Sequence, residues 1–362
     1  MSYKVLDLFC GAGGLSLGFQ NAGFDIYGGV EWDEAALQTH KNNFSTKFHF
    51  SGDISDVLDE EIKANLEDIE VIIGGPPCQG FSSANRYLKE EDDPRNKLFF
   101  EYLRFVNIIK PKVFVIENVP GILSRDNGYA KNKIIEITES YGYKVNVKVL
   151  SSEDYGVPEV RKRAFFIGIR EDLRLTFKFE NLKPIFEKTT VYDAIKDLEA
   201  LEDGQIYNTL LGIELTPIQK YYFNENSLQI ENHNISVHNE KVVERIKHVP
   251  QGGNWKDVPS NLWETQRNNR HSSAYRRLDY SKPSITIDTG HMNYFHPIFH
   301  RVPSVRESAR IQGFNDSFVF YGTKTQQYRQ VGNAVPPILA QSIANEINDI
   351  LKGWEDSKDE HY

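Results

Sequence analysis

Seven short apolar runs, KVLDLF, FDIYGGV, KFHF, EVIIGG, KVFVIEN, YKVNVKVL and RAFFIGI, lie between the N-terminus and Arg170. Most are separated by segments long enough to form a helix. Parallel neighbours in a sheet can be joined only by a crossover of a dozen or more residues, so this alternation predicts an α/β fold built on a doubly wound, Rossmann-like sheet. The last two runs are joined by SSEDYGVPEVRK, which is rich in turn residues and has no helical period. The sheet is therefore expected to end in an antiparallel hairpin.

After Arg170 the pattern weakens. Residues 181–275 are rich in Asn, Gly, Pro and aromatic side chains with no strong period, which points to a second, smaller and irregular domain. Periodicity returns in SVRESARIQGF, a short helix flanked by VPS and GFND, and in VPPILAQSIANEINDILKGW, where Pro336 and Pro337 fall in a first turn that tolerates a missing N–H. The expected division is 1–180 for the sheet domain, 181–327 for the inserted domain, and 328–352 for a terminal helix returning to the first.

Composition narrows the class. A chain of 362 residues with 40% hydrophobic and 26% charged residues is that of a globular protein. No apolar stretch reaches the roughly 18 residues that span a bilayer, and the N-terminus enters a strand without a signal-like apolar region, so a cytoplasmic, non-membrane protein is expected. Two cysteines supply neither a disulfide framework nor a four-cysteine zinc site. The net charge of −9 argues against a nucleic-acid partner, but its distribution argues for one. Between 240 and 277, eight Lys/Arg residues face four acids.

The ends of the strand runs carry the chemistry. The first leads into DLFCGAGGLSLGF, where Gly11 and Gly13 allow a tight turn and close backbone approach to a ligand. The dinucleotide fingerprint fails there, because Ser16 stands where its last glycine belongs. The second run ends at Glu31 and Trp32, a carboxylate suited to ribose hydroxyls beside an aromatic face, and Asp53 follows the third. The fourth, in GGPPCQGFSS, presents Cys78, and the fifth presents Glu117 and Asn118. In a parallel sheet these ends emerge at one edge, where ligands bind. Arg161 and Arg163 alternate at strand period toward one face, and Asn333 sits in QVGNAVPP. His291, His296 and His300 invite a metal reading, but no cysteine or carboxylate completes the set, and no metal is expected.

Together DLFCGAGG, GGPPCQGFS, ENV, the Arg-x-Arg strand, SVRESARIQGF and QVGNAVPP resemble the cytosine-5 DNA methyltransferase family, in its order, over about 1–170 and 275–350. The resemblance implies methyl transfer from S-adenosyl-L-methionine to carbon 5 of a flipped-out cytosine in a specific double-stranded DNA sequence. It assigns Cys78 as nucleophile, Glu117 as the group at ring nitrogen 3, and Arg163, with Arg161, as further catalytic residues. Cofactor contacts would be Phe9, Gly11, Gly13, Glu31, Trp32, Asp53, Pro77 and Asn333. The interval without shared motifs is where the family holds its target-recognition region, and HVPQGGNWKDVPSNLW is a candidate groove-reading loop. The polar loop after Cys78 is long enough to close over a base. A compact chain of this kind suits a bacterial restriction-modification role as a monomer, with a cognate endonuclease sharing the DNA sequence without binding the methyltransferase.

One position departs from the family: Glu159 stands where Gln is usual, two places before Arg161. The nearest rival is the tRNA cytosine-5 methyltransferase branch, whose Cys-Phe-Thr tripeptide is absent. A DNA-binding protein that has lost catalysis is opposed by the intact Cys78, Glu117, Arg163 and Asn333. A nicotinamide-dependent dehydrogenase is opposed by Ser16 and by the antiparallel sheet ending.

Overall fold

The structure is a computed structural model that describes residues 2–77, 97–201, 215–223, 229–263, 274–290 and 293–359. Seven strands form the main sheet: β1 (Lys4–Leu8), β2 (Asp25–Glu31), β3 (Phe48–Ser51), β4 (Val71–Gly74), β5 (Val113–Asn118), β6 (Tyr143–Ser151) and β7 (Lys162–Arg170). Their order is β3-β2-β1-β4-β5-β7-β6. The first five are mutually parallel, whereas β7 runs antiparallel to both β5 and β6. The expected hairpin exists, and its second strand is the one that docks on the parallel sheet.

Residues buried on both faces drive this arrangement. Val5, Leu6 and Leu8 of β1, Val71, Ile72 and Ile73 of β4, and Val113 to Ile116 of β5 are all buried, the near-continuous apolar pattern of strands covered on both sides. The covering helices are α1 (Gly14–Asn21), α2 (Glu34–Asn43), α3 (Asp59–Leu66), α4 (Lys97–Ile109) and α5 (Tyr129–Ser140). Helix α4 presents Phe99, Tyr102, Leu103 and Val106 to the core, and the buried Tyr102 hydroxyl donates to the Val115 carbonyl at 2.9 Å. The direction of winding reverses between β1 and β4, so the chain leaves their carboxyl ends in opposite directions, the switch point at which open α/β sheets bind ligands.

The chain divides into two compact units, one of 1–151, 162–185 and 339–362, the other of 152–161 and 186–338. Compared with the division expected from sequence, residues 152–161 and 328–338 fall with the second unit and residues 181–185 with the first. That unit contains α6 (Val191–Ile195), α7 (Pro217–Tyr222), α8 (Glu240–Lys247), α9 (Val305–Ile311) and α10 (Lys324–Asn333), with a small parallel pair, β8 (Arg276–Arg277) and β9 (Tyr294–Phe295). The last helix, α11 (Pro337–Asp359), belongs to the first unit from Leu339 onward.

Helix α9 starts where its sequence says, at a Ser304/Glu307 capping box. It is buried all round, an arrangement its charged sequence does not suggest, because its cations are consumed internally. Arg310 pairs with Asp316 and Asp197 at 2.6 and 2.7 Å, and Arg306 donates to the carbonyls of Glu231, Asn315 and Phe318.

Candidate active site

Register places five chemistry-bearing strand ends level with one another. Leu8 pairs with Val30 and with Gly74, Glu31 with Ser51, and Gly74 with Ile116. The residues just beyond, Phe9, Glu31 and Trp32, Asp53, Pro76 and Pro77, and Glu117, therefore line the same edge.

At the first strand end the backbone turns through left-handed conformations: φ is 61° at Phe9, 53° at Gly11 and 105° at Gly13, which caps α1. A side chain at Gly13 would place its Cβ 2.5 Å from Cε2 of Phe44, so only glycine fits. The turn is held from β2. Glu31 accepts the Gly11 N–H at 2.9 Å with one oxygen, and the Trp32 and Asp33 N–H groups at 3.0 and 2.9 Å with the other. Burial pushes the Glu31 carboxyl above its ordinary value, and these three donors oppose the rise. Trp32 is 80% exposed, an uncommon state for an indole and an available stacking face. Among the described residues, no atom beyond its chain neighbours lies within 4 Å of the position a Gly11 Cβ would take. An open glycine turn, a hydrogen-bonded carboxylate and a bare aromatic face fit an adenosine. Asp53 caps the turn after β3 by accepting from the N–H and Oγ of Ser55, and those bonds lower its carboxyl below the usual range. Pro77 is exposed.

At the fifth strand end, Arg163 Nε lies 2.7 Å from Glu117 Oε1, with both side chains mostly shielded from solvent. This pairing is a product of strand direction. Because β7 is antiparallel, its beginning lies beside the end of β5, with Phe165 opposite Glu117 and Ala164 opposite Asn118. Arg163 shares the face of Phe165 and so sits diagonal to Glu117, within reach of a long side chain. Gly75 abuts the pair, since a Cβ there would be 2.9 Å from Glu117 Oε2. Asn118 Nδ2 donates to the Pro76 carbonyl at 2.8 Å and ties the end of β5 to the segment that leads to residue 78. Cys78, and the loop expected to close over a base, lie outside the described residues.

The two arginines do not share a task. Arg161 belongs to the second unit and is buried, donating to the carbonyls of Ile287 at 3.0 Å and Gly332 at 2.6 Å. Glu159 stands 3.5 Å from the same guanidinium and accepts the Ile287 N–H at 2.6 Å. The expectation of one common face is thus corrected: the chain has left the regular strand at 161, which frees that side chain to turn toward different carbonyls. Asn333, exposed, ends α10 immediately after the clamped Gly332. Of the three histidines, His291 lies outside the described residues. His296 is buried and accepts the N–H groups of Ile298 and Phe299, and His300 lies 3.1 Å from Arg277. Arg277 itself, counted among the basic residues of 240–277, is buried on the carbonyls of Val249 and Ile246, so it serves the fold and not the surface.

The model of the C-5 cytosine-specific DNA methylases matches residues 3–349. The chain belongs to this family. It is a DNA (cytosine-5)-methyltransferase and uses S-adenosylmethionine as methyl donor. This methyltransferase is 38% identical to the Type II methyltransferase M1.HphI of Haemophilus parahaemolyticus, over 96% of its own length and 87% of the relative's. It is 36% identical to the Type II methyltransferase M.DdeI of Desulfomicrobium norvegicum, over 95% and 88%. Among solved structures, a DNA modification methyltransferase encoded within an E. coli prophage superposes with a TM-score of 0.76 at 33% identity, covering 97% of this chain and 100% of that one. These relatives favour DNA methylation over the tRNA alternative. No helix among the described residues of the methyltransferase is long and apolar enough to cross a membrane.

Sequence reasoning passed over one set of residues in this enzyme. Asp7, Ser16, His40 and His49 form a hydrogen-bonded chain behind the glycine turn. Ser16 drew notice only for breaking the dinucleotide fingerprint. Its position on α1, nine residues after the buried Asp7, was the available signal.

Proposed function

We propose that this methyltransferase acts on a cytosine flipped out of a specific double-stranded DNA sequence, through a covalent adduct with Cys78. Ring carbon 5 of cytosine is a poor nucleophile. Addition of a thiolate to carbon 6 pushes electron density toward carbon 5, and the negative charge that develops is relieved by a proton or strong hydrogen bond at ring nitrogen 3. Glu117 supplies that contact, held in orientation by Arg163. The observation that carries the reading is the 2.7 Å Glu117–Arg163 pair at the carboxyl edge, tied through Asn118 to the segment preceding Cys78.

S-adenosylmethionine supplies the methyl group as an activated sulfonium. The chain's part is to hold it: Glu31 would accept from the ribose hydroxyls, Trp32 would offer its face to the adenine, and Phe9, Gly11, Gly13, Asp53, Pro77 and Asn333 would supply further contacts. A stacked duplex hides the base from any such pocket, so the nucleotide must leave the helix first. Arg161 acts as a positioning residue, since it holds the backbone next to Asn333. Sequence choice falls to the region 181–327, with 248–263 reading the groove. In that loop Gly252, at φ 77°, and Gly253 exchange backbone hydrogen bonds with Arg277, an arrangement that supports a fixed shape. The chain works as a cytoplasmic monomer in restriction-modification, alongside an endonuclease that shares its DNA sequence without binding it directly.

Duplex DNA carrying 5-fluorocytosine at the target tests this reading. Fluorine replaces the proton that must leave carbon 5, elimination stalls, and a protein–DNA adduct should survive denaturing electrophoresis. The adduct should require both Cys78 and S-adenosylmethionine. Its absence on a bound, correctly matched duplex, or its formation by Cys78→Ser, overturns the mechanism.

A further inference from the structure

We propose that Asp7 is a specificity-determining residue that favours the charged methyl donor over the uncharged spent product, and that the buried Ser16–His40–His49 chain sets its charge. The inference rests on the established use of S-adenosylmethionine and extends it. S-adenosylmethionine carries a sulfonium, and S-adenosylhomocysteine has a neutral thioether in its place. The two share the adenosine and the amino-acid portion, so contacts to those parts cannot separate them. Product binding slows turnover unless something distinguishes the ligands, and the lost charge is the main difference on offer.

Asp7 just precedes the turn assigned to the methyl donor. It lies on β1, just before the left-handed turn from Phe9 to Gly13, and is 1% exposed. One oxygen, Oδ2, accepts from Ser16 Oγ at 2.7 Å. Among the described residues the other, Oδ1, is buried with no hydrogen-bond partner, and the Ser16 backbone N–H adds to the hydroxyl in favouring the ionised form, so an ionised Asp7 is only partly compensated in surroundings of low dielectric. Ser16 Oγ lies 3.0 Å from His40 Nε2, His40 Nδ1 lies 3.2 Å from His49 Nε2, and His49 Nδ1 lies 3.0 Å from Thr46 Oγ1. His40 is buried and His49 half-buried, so the chain leads from the carboxyl toward solvent.

Such a chain has two polarities. With Asp7 ionised, His49 donates to His40, His40 to Ser16 and Ser16 to Asp7. With Asp7 protonated, every donor and acceptor reverses, and Thr46 becomes the last acceptor. A proton taken up at His49 thus reaches Asp7 by successive hops, each link giving up one proton as it receives another. Both rings must be neutral for this to work, each with one N–H and one lone pair. Burial holds His40 down at about 3 and His49 at about 4, which keeps them neutral at physiological pH.

Among the described residues, the other titratable groups that act on Asp7 are Glu31 from β2, Cys10 in the turn and Tyr102 from α4. Burial raises the Cys10 thiol and the Tyr102 hydroxyl, so both stay neutral, and Glu31 is the further carboxyl that acts on Asp7 among the described residues. Burial pushes Asp7 up to about 7, with the Ser16 hydrogen bond opposing and the Glu31 charge adding to the rise. Burial thus brings the carboxyl toward the working pH range, where a change of its charge is the expectation the titration below tests.

Calorimetric titration of the full chain with S-adenosylmethionine and with S-adenosylhomocysteine, from pH 5.5 to 8.5, tests the proposal without relying on activity. The ratio of product Kd to donor Kd should rise with pH by roughly threefold to tenfold, the scale of a unit charge acting at moderate distance in a protein. Asp7→Asn, close to isosteric, should hold the ratio at its low-pH value and leave product affinity unchanged. Ser16→Ala removes the donor to the ionised carboxyl and should shift the rise to higher pH, and Ser16→Thr should restore it. A pH-independent ratio in the wild type overturns the proposal. So does a pH-dependent ratio that survives Asp7→Asn, which would assign the effect to Glu31 or to the ligands' own titration.

Discussion

Replacing Gly13 by alanine probes whether the glycine turn is demanded by the backbone, by packing, or by both. At φ 105° and ψ 34° this N-cap lies in the left-handed region, where an L side chain costs about 1–2 kcal/mol. The added Cβ would also stand 2.5 Å from Phe44 Cε2 and 3.0 Å from His40 Cδ2, in a wall where inserting a methyl costs typically about 1–3 kcal/mol. The total loss expected from urea unfolding is therefore about 2–5 kcal/mol. The two parts can be separated, because Phe44→Leu removes the ring edge and leaves the backbone alone. In that background Gly13→Ala should cost the backbone share and the lesser contact with His40, so the double-mutant cycle should return most of the packing cost of about 1–3 kcal/mol as coupling. A loss below about 0.5 kcal/mol in the single mutant, or equal losses in the two backgrounds, would refute the packing argument. Calorimetry of the folded variant should also show weakened donor binding, since the same turn carries the Gly11 N–H that Glu31 holds.

Glu117→Gln keeps the shape of the side chain but removes its proton chemistry, and methyl transfer measured with labelled donor should fall about 10²–10⁴-fold with donor affinity retained; near-normal turnover would count against Glu117. Arg161→Met should cost about 3–5 kcal/mol by chemical denaturation, because Glu159 is left charged and buried. Adding Glu159→Gln should recover part of that loss, and no recovery would mean that the carbonyl contacts to Ile287 and Gly332 carry the whole effect. Burial acts to raise the Glu307 carboxyl, yet the two hydrogen bonds from Arg301, at 2.7 and 2.8 Å, help hold it at about 2. Its folded value lies below its unfolded one, so it contributes roughly 3 kcal/mol above about pH 4.5, lost as pH falls toward 2. Glu307→Gln should flatten that acid limb in pH-dependent thermal unfolding, and an unchanged limb would assign acid sensitivity elsewhere.

The strand ends were legible in the sequence because each is a local event. An apolar run, a break and a glycine, acid or proline say where a parallel strand stops, and parallel strands stop at one edge. Glu31, Trp32, Asp53 and Glu117 could be named on that ground alone, and the start of α9 could be read from the VPS that precedes its period. Helix α10 was not marked, since KTQQYRQVGN is almost wholly polar and ends in Gly-Asn, and only packing against its neighbours makes it a helix. Partnership is what the sequence could not supply. Arg161 and Arg163 look equivalent at strand spacing, but regular pairing begins at Lys162, so one guanidinium reaches Glu117 while the other is buried on the Ile287 and Gly332 carbonyls. Asp7, Ser16, His40 and His49 come from β1, α1, α2 and β3, and each alone reads as an ordinary polar residue. Only the crossovers that lay α1 and α2 against the sheet bring them within hydrogen-bond distance, and only the exclusion of water there makes their protons matter.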